Sequence, residues 1–133
     1  MSLIKVFNNH LIEFLDDIIS IFPNNLDIKT GKTFIEGIKK VNPKSLIQNW
    51  KLTMLDVYEK QIMENDANFF INKDYKNDVG FIYEQQQNSS QNRTMKIIEQ
   101  IRSLVKDTSQ ENKDKAMKYV QNLTKICKIY FSN

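Results

Sequence analysis

Residues 2–23 read SLIKVFNNHLIEFLDDIISIFP, and the spacing of the apolar members of this stretch decides the fold class. Leu3, Phe7, Leu11, Phe14, Ile18 and Phe22 recur at intervals of three and four, the period that gathers side chains on one face of an α-helix. Ile4, Ile12, Leu15 and Ile19 widen the stripe, while Lys5, Asn9, Glu13, Asp16 and Ser20 fall opposite. A helix is predicted over residues 2–22, stopped by Pro23, with Asn24 and Asn25 suited to the turn. A stripe this broad must bury against more than one partner element.

The same period continues along the chain. A second helix is predicted over residues 27–41, with Ile28, Phe34, Ile35, Ile38 and Val41 inward. Gly31 and Gly37 lie inside it, each costing about 1 kcal/mol relative to Ala, and close helix–helix approach is the expected compensation. Asn42 is placed to cap a third helix and Pro43 to occupy its first position. That helix carries Leu46, Ile47, Trp50, Met54, Val57, Tyr58 and Ile62 to residue 64, with Trp50 as a core anchor. Asp66 is placed to cap a short helix through Phe69, Phe70 and Ile71.

Residues 76–92 form a polar connection, and the Gln/Asn/Ser tract from Gln85 to Asn92 reads as a helix extension or a linker. Met95, Ile98, Ile101, Leu104 and Val105 restore the helical period to residue 106. Thr108-Ser109-Gln110-Glu111 matches a capping box. The last helix sets Met117, Val120, Leu123, Cys127 and Tyr130 on one face, flanked by Tyr119 and Ile126. Only three Gly and two Pro occur in 133 residues, too few turn formers for a strand-rich domain. The expectation is an all-α compact bundle of five or six helices, a single domain over residues 1–133.

The inventory for catalysis is small. His10 is the one histidine and sits at helical spacing from Phe7 and Phe14, the position of a residue bordering a core. Cys127 is the one cysteine, so no internal disulfide is expected, and a reducing, intracellular compartment is the simplest setting. Glu13 and Asp17 share a helix face, but no Glu-x-x-His partner accompanies them, so a solvated face is the plainer reading. Thr30-Gly31-Lys32-Thr33 resembles the end of a phosphate loop, yet Leu26 stands where its first Gly is needed. A calcium loop starting at Asp66 fails because Phe70 and Ile71 occupy a ligand and the turn-Gly position. No cofactor, no metal and no enzymatic activity are expected. No apolar run approaches the ~18 residues of a membrane span, so no membrane partner is expected either. Three Asn-x-Ser/Thr acceptor patterns, at Asn88, Asn92 and Asn122, are what chance supplies in an Asn-rich chain.

What remains is recognition. Phe69, Phe70, Lys73, Asp74 and Tyr75 combine apolar anchors with a polar rim, the composition of a protein–protein hot spot. Residues 1–66 hold 8 Lys against 9 Asp and Glu, and residues 67–133 hold 11 Lys and Arg against 7, so the basic excess belongs to the second half. Lys113, Lys115, Lys118, Lys125 and Lys128 stud the last helix and would suit weak, sequence-nonspecific nucleic-acid contact, the alternative to a protein interface.

Three stretches carry a resemblance: Phe14 to Pro23, the junction Val41-Asn42-Pro43-Lys44, and Phe69 to Tyr75. Over about residues 1–78 the pattern resembles small uncharacterised helical proteins encoded by large double-stranded DNA viruses of algae and other protists. The resemblance implies a viral protein working in host cytoplasm or in a virion, as a non-enzymatic interaction or structural module that binds a protein partner or self-associates. It carries no site residues with it.

Overall fold

Helix ends in this chain sit where a neighbouring group can satisfy the backbone donors and acceptors that a helix leaves unpaired. The computed structural model describes residues 2–65 and 89–132. The Ser2 hydroxyl accepts the Lys5 amide at 3.3 Å and opens α1 (Leu3–Ile21). The Phe22 amide still reaches the Ile18 carbonyl (2.9 Å), and Pro23, lacking an N–H, ends the run. Asn25 then accepts the Ile28 amide at 3.0 Å and opens α2 (Leu26–Val41), whose last turn carries Lys39 and Lys40 against the negative end of the helix dipole.

The junction after α2 departs from expectation. Asn42 is the C-terminal cap of α2, its amide donating to the Ile38 carbonyl at 2.7 Å, and α3 (Lys44–Trp50) follows Pro43 with no side-chain cap. The Asn8 amide group of α1 instead holds the Pro43 carbonyl at 3.1 Å, so the corner is tied down from a neighbouring helix.

The predicted third helix is one path in three pieces: α3, a π-helical turn at Lys51–Leu55, and α4 (Asp56–Met63). The Thr53 hydroxyl donates to the Asn49 carbonyl at 2.7 Å, and the Asp56 amide reaches back five residues to Lys51. An extra residue in one turn rotates all that follows by roughly 100°. Tyr58 and Ile62 stay buried, whereas Val57, expected inside, is 45% exposed. Asn65 ends α4 at a positive φ of 56°, the left-handed conformation that Asn tolerates best after Gly.

Two long helices complete the described chain: α5 (Ser89–Lys106) and α6 (Gln110–Ser132). The Gln/Asn/Ser tract therefore becomes helical at Ser89. The capping group of α6 is Ser109, whose hydroxyl accepts the Asn112 amide at 3.2 Å, rather than Thr108, which bonds the Asn112 side chain at 2.9 Å. The expected short helix at Phe69–Ile71 and the connection from residue 76 to residue 88 lie outside the described residues.

Helix α1 packs between α2 and α6, the α3–α4 path runs along α6, and α5 closes against α2, α3 and α6. The fold is all-α, with five helical rods and no strand among the described residues. Phe7 and Trp50 meet edge to face at 5.9 Å in the centre, and the Trp50 indole N–H donates to the Thr124 hydroxyl at 3.0 Å. Leu15, Ile47, Met117 and Leu123 are sealed around them. Gly31 serves the expected close approach, since a Cβ there would stand 3.1 Å from Ile97 Cγ1 of α5. Gly37 faces open space, and Val41, expected inward, is 87% exposed at the α2–α3 corner where the chain turns away. No helix among the described residues is long and apolar enough to cross a membrane.

Candidate interaction groove between the first and last helices

Two chain-distant helices, α1 and α6, lie side by side and antiparallel, and Tyr119 sets their register. Its phenol donates to the Asp17 carboxylate and lies 3.4 Å from Glu13 Oε1. Its ring stacks on Phe14 at 4.8 Å and meets His10 at 5.0 Å. Burial holds the phenol's proton affinity above its ordinary value, and the hydrogen bond to Asp17 and the charges of Asp17 and Glu13 push it the same way. Tyr119 is thus a fixed, neutral donor that pins α6 to α1, and its ring is already engaged by protein neighbours.

On the solvent side of this pin the two helices leave an open groove of about 550 Å³. Val6, Asn9, His10 and Glu13 form one wall and Asn122, Lys125, Ile126 and Ile129 the other. Each wall is a run at i, i+3, i+4 and i+7, the set of positions a helix presents along one stripe. The end near Val6, Ile126 and Ile129 is apolar, with Ile129 53% exposed. Past His10, Glu13 and Asn122 the groove adjoins a second depression of about 260 Å³, and this one is charged: Glu13 and Asp17 on α1 face Lys115 and Lys118 on α6. His10 lies at the middle, Nδ1 3.6 Å from Glu13 Oε2 and Nε2 buried with no hydrogen-bond partner among the described residues.

The five lysines of the last helix divide. Lys115, Lys118 and Lys125 are exposed along the groove, and none makes an ion pair among the described residues. Lys128 is drawn to Glu59 of α4 at 2.7 Å, and Lys113 is half-buried outside the groove. Phe69, Phe70, Lys73, Asp74 and Tyr75 lie outside the described residues.

Other chemistry-bearing residues are occupied. Cys127 is fully buried, its thiol facing the Ile47 carbonyl at 3.5 Å and pushed up to about 12, chiefly by burial and secondarily by Asp56. A thiol so protonated is no nucleophile at neutral pH. Lys32, in the phosphate-loop-like stretch, lies within α2 and is bound to Asp16 of α1, which holds its ammonium above the ordinary value. No group of three or more His, Cys, Asp or Glu among the described residues is arranged to hold a metal ion. The core contains a slot of about 30 Å³ lined almost wholly by apolar side chains, including Phe14, Trp50 and Ile101. That is room for about two waters, but its lining offers little for a water to bond.

The groove was not legible as such in the sequence. Its signal was the excess width of the α1 stripe beside the mixed polar and apolar run from Asn122 to Ile129, and neither run names its neighbour. Comparison of the chain with protein-family models, with curated proteins and with solved structures gives no match.

Proposed function

We propose that this protein is a non-enzymatic interaction module whose docking surface is the groove between α1 and α6. The observation that carries the reading is the combination of an apolar end, with Ile129 exposed beside half-buried Val6 and Ile126, and charged walls on a framework locked by Tyr119. Apolar anchors beside a polar rim are the anatomy of a recognition surface, and two parallel stripes at helical spacing suit an incoming helix. The burial of Cys127 and the engagement of His10 by Glu13 and Tyr119 favour binding over nucleophilic chemistry. The likeness of residues 1–78 to small helical viral proteins favours a role in an infected cell or a virion.

The test is substitution at the surface with folding measured alongside. Ile129→Asp is expected to abolish partner association while moving unfolding free energy by no more than about 0.5 kcal/mol, as befits a surface position. Association that survives Ile129→Asp but fails on substitution of Phe69 or Tyr75 transfers the docking surface to that segment.

A second reading rests on the row Lys115, Lys118 and Lys125, exposed along one side of α6. Nucleic acid held by these lysines would bind without sequence preference and weaken steeply with salt, with a log–log slope of about −3 for three phosphate contacts. Lys118→Glu with Lys125→Glu is expected to remove such binding, and binding indifferent to salt would contradict the mechanism.

A further inference from the structure

The walls of the groove are complementary to each other. Glu13 and Asp17 make the α1 wall acidic, Lys115, Lys118 and Lys125 make the α6 wall basic, and the apolar residues of both walls lie at the same end. Tyr119 touches Glu13 and Asp17, which puts Lys118 at the level of Asp17, while Val6 shares the opposite end with Ile126 and Ile129.

A surface of this kind fits itself under one symmetry. A twofold axis parallel to α1 and α6 sets the α1 of one copy against the α6 of the other without exchanging the ends of the groove. The acidic wall of each copy then faces the basic wall of its mate at the level of Asp17 and Lys118, and the Val6 and Ile129 ends meet. A twofold axis perpendicular to the helices would instead set α1 against α1 and α6 against α6, acidic wall on acidic wall and basic on basic. We propose that the occupant of the groove is a second copy of this chain, paired isologously about the parallel axis into an antiparallel four-helix bundle of α1, α6 and their mates. This rests on the reading of the groove as a docking surface. The pairing also brings carboxylates of the mate to Lys115, Lys118 and Lys125, none of which makes an ion pair within one copy among the described residues.

The experiment is sedimentation analysis of the full chain over a concentration series, with far-UV spectra and melts of every variant as folding controls. Wild-type protein is expected to give a monomer–dimer equilibrium. Asp17→Lys and Lys118→Glu, each alone, are expected to weaken the dimer by about tenfold, because each replaces attraction by repulsion at two symmetric places. Mixing the two variants is expected to restore dimerisation: in the mixed pair every basic wall meets an acidic one, a recovery that no effect within one copy can mimic. Ile129→Lys is expected to leave monomer in every combination. A wild-type chain that stays monomeric at all concentrations overturns the proposal, as does a mixture that fails to recover.

A photo-crosslinking residue at position 122, used in cells, separates the two readings. An adduct with a second copy supports the pairing. An adduct with a different protein or with nucleic acid, from a monomeric chain, overturns self-pairing, the first leaving the docking-surface reading standing. No adduct of any kind overturns both.

Discussion

Trp50 shows how much one side chain can organise. Its ring meets Phe7 and its indole N–H satisfies Thr124, whose hydroxyl also donates to the Val120 carbonyl at 2.7 Å, so α1, α3 and α6 converge on one residue. Trp50→Ala is expected to cost about 3–5 kcal/mol in denaturant unfolding, and the native indole to resist quenching by aqueous acrylamide. Cys127 gives a prediction in pH. In the unfolded chain its thiol titrates near 9, whereas the folded chain holds the proton to about 12. Between those values the folded state binds more protons, so its contribution to stability is complete below pH 9 and is lost as pH rises towards 12. Tyr119 acts in the same sense from its ordinary phenol value upward, since its proton affinity too is raised by folding. Urea melts are expected to show stability falling across the alkaline range, with a shallower fall in Cys127→Ala and in Tyr119→Phe. An unchanged slope in both variants would show that neither group gains proton affinity on folding.

At the scale of the helix, two glycines of α2 make opposite predictions. Gly37 faces open space, so Gly37→Ala is expected to stabilise by about 1 kcal/mol through helix propensity alone. At Gly31 the new methyl would stand 3.1, 3.4 and 3.6 Å from three atoms of Ile97, a β-branched side chain with little rotamer freedom. Gly31→Ala is therefore expected to fall well short of the gain at Gly37, and equal gains in thermal melts would show that α5 sits further from α2. The same element scale shows where sequence pattern stops being sufficient. The end of α1 was legible because Pro23 acts on its own neighbours, and the bounds of α2 were legible to within a residue, although the capping by Ser2 and Asn25 was not read. The π-turn was not, because it depends on Thr53 bonding the Asn49 carbonyl while Trp50 and Asn49 are held by α6 and α5. That turn put Val57 outside against the expectation.

For the molecule as a whole, the mild positive charge conceals a segregation that the fold makes local, with acidic residues on α1 lying beside lysines on α6. Thermal melts with chelator, Mg²⁺ or ATP are expected to superimpose on the melt of the protein alone, since Lys32 is bound to Asp16 and no acidic or His/Cys cluster among the described residues is arranged for a metal. A shift of several degrees with any of them would reveal a site. The amino-acid order by itself determined the helical class, most helix ends and the greater part of the core, because apolar period, proline and capping groups act over a few residues. It also placed Trp50 and Cys127 inside. Only the tertiary structure decided that α1 and α6, a hundred residues apart, lie antiparallel, that Tyr119 is spent on Asp17, and that Lys115, Lys118 and Lys125 border a groove while Lys128 turns to Glu59. The reason is physical: a helix stripe states how much surface must be buried but carries no label for its partner. The partner is chosen by how all the stripes pack together, and the groove is what that packing leaves open.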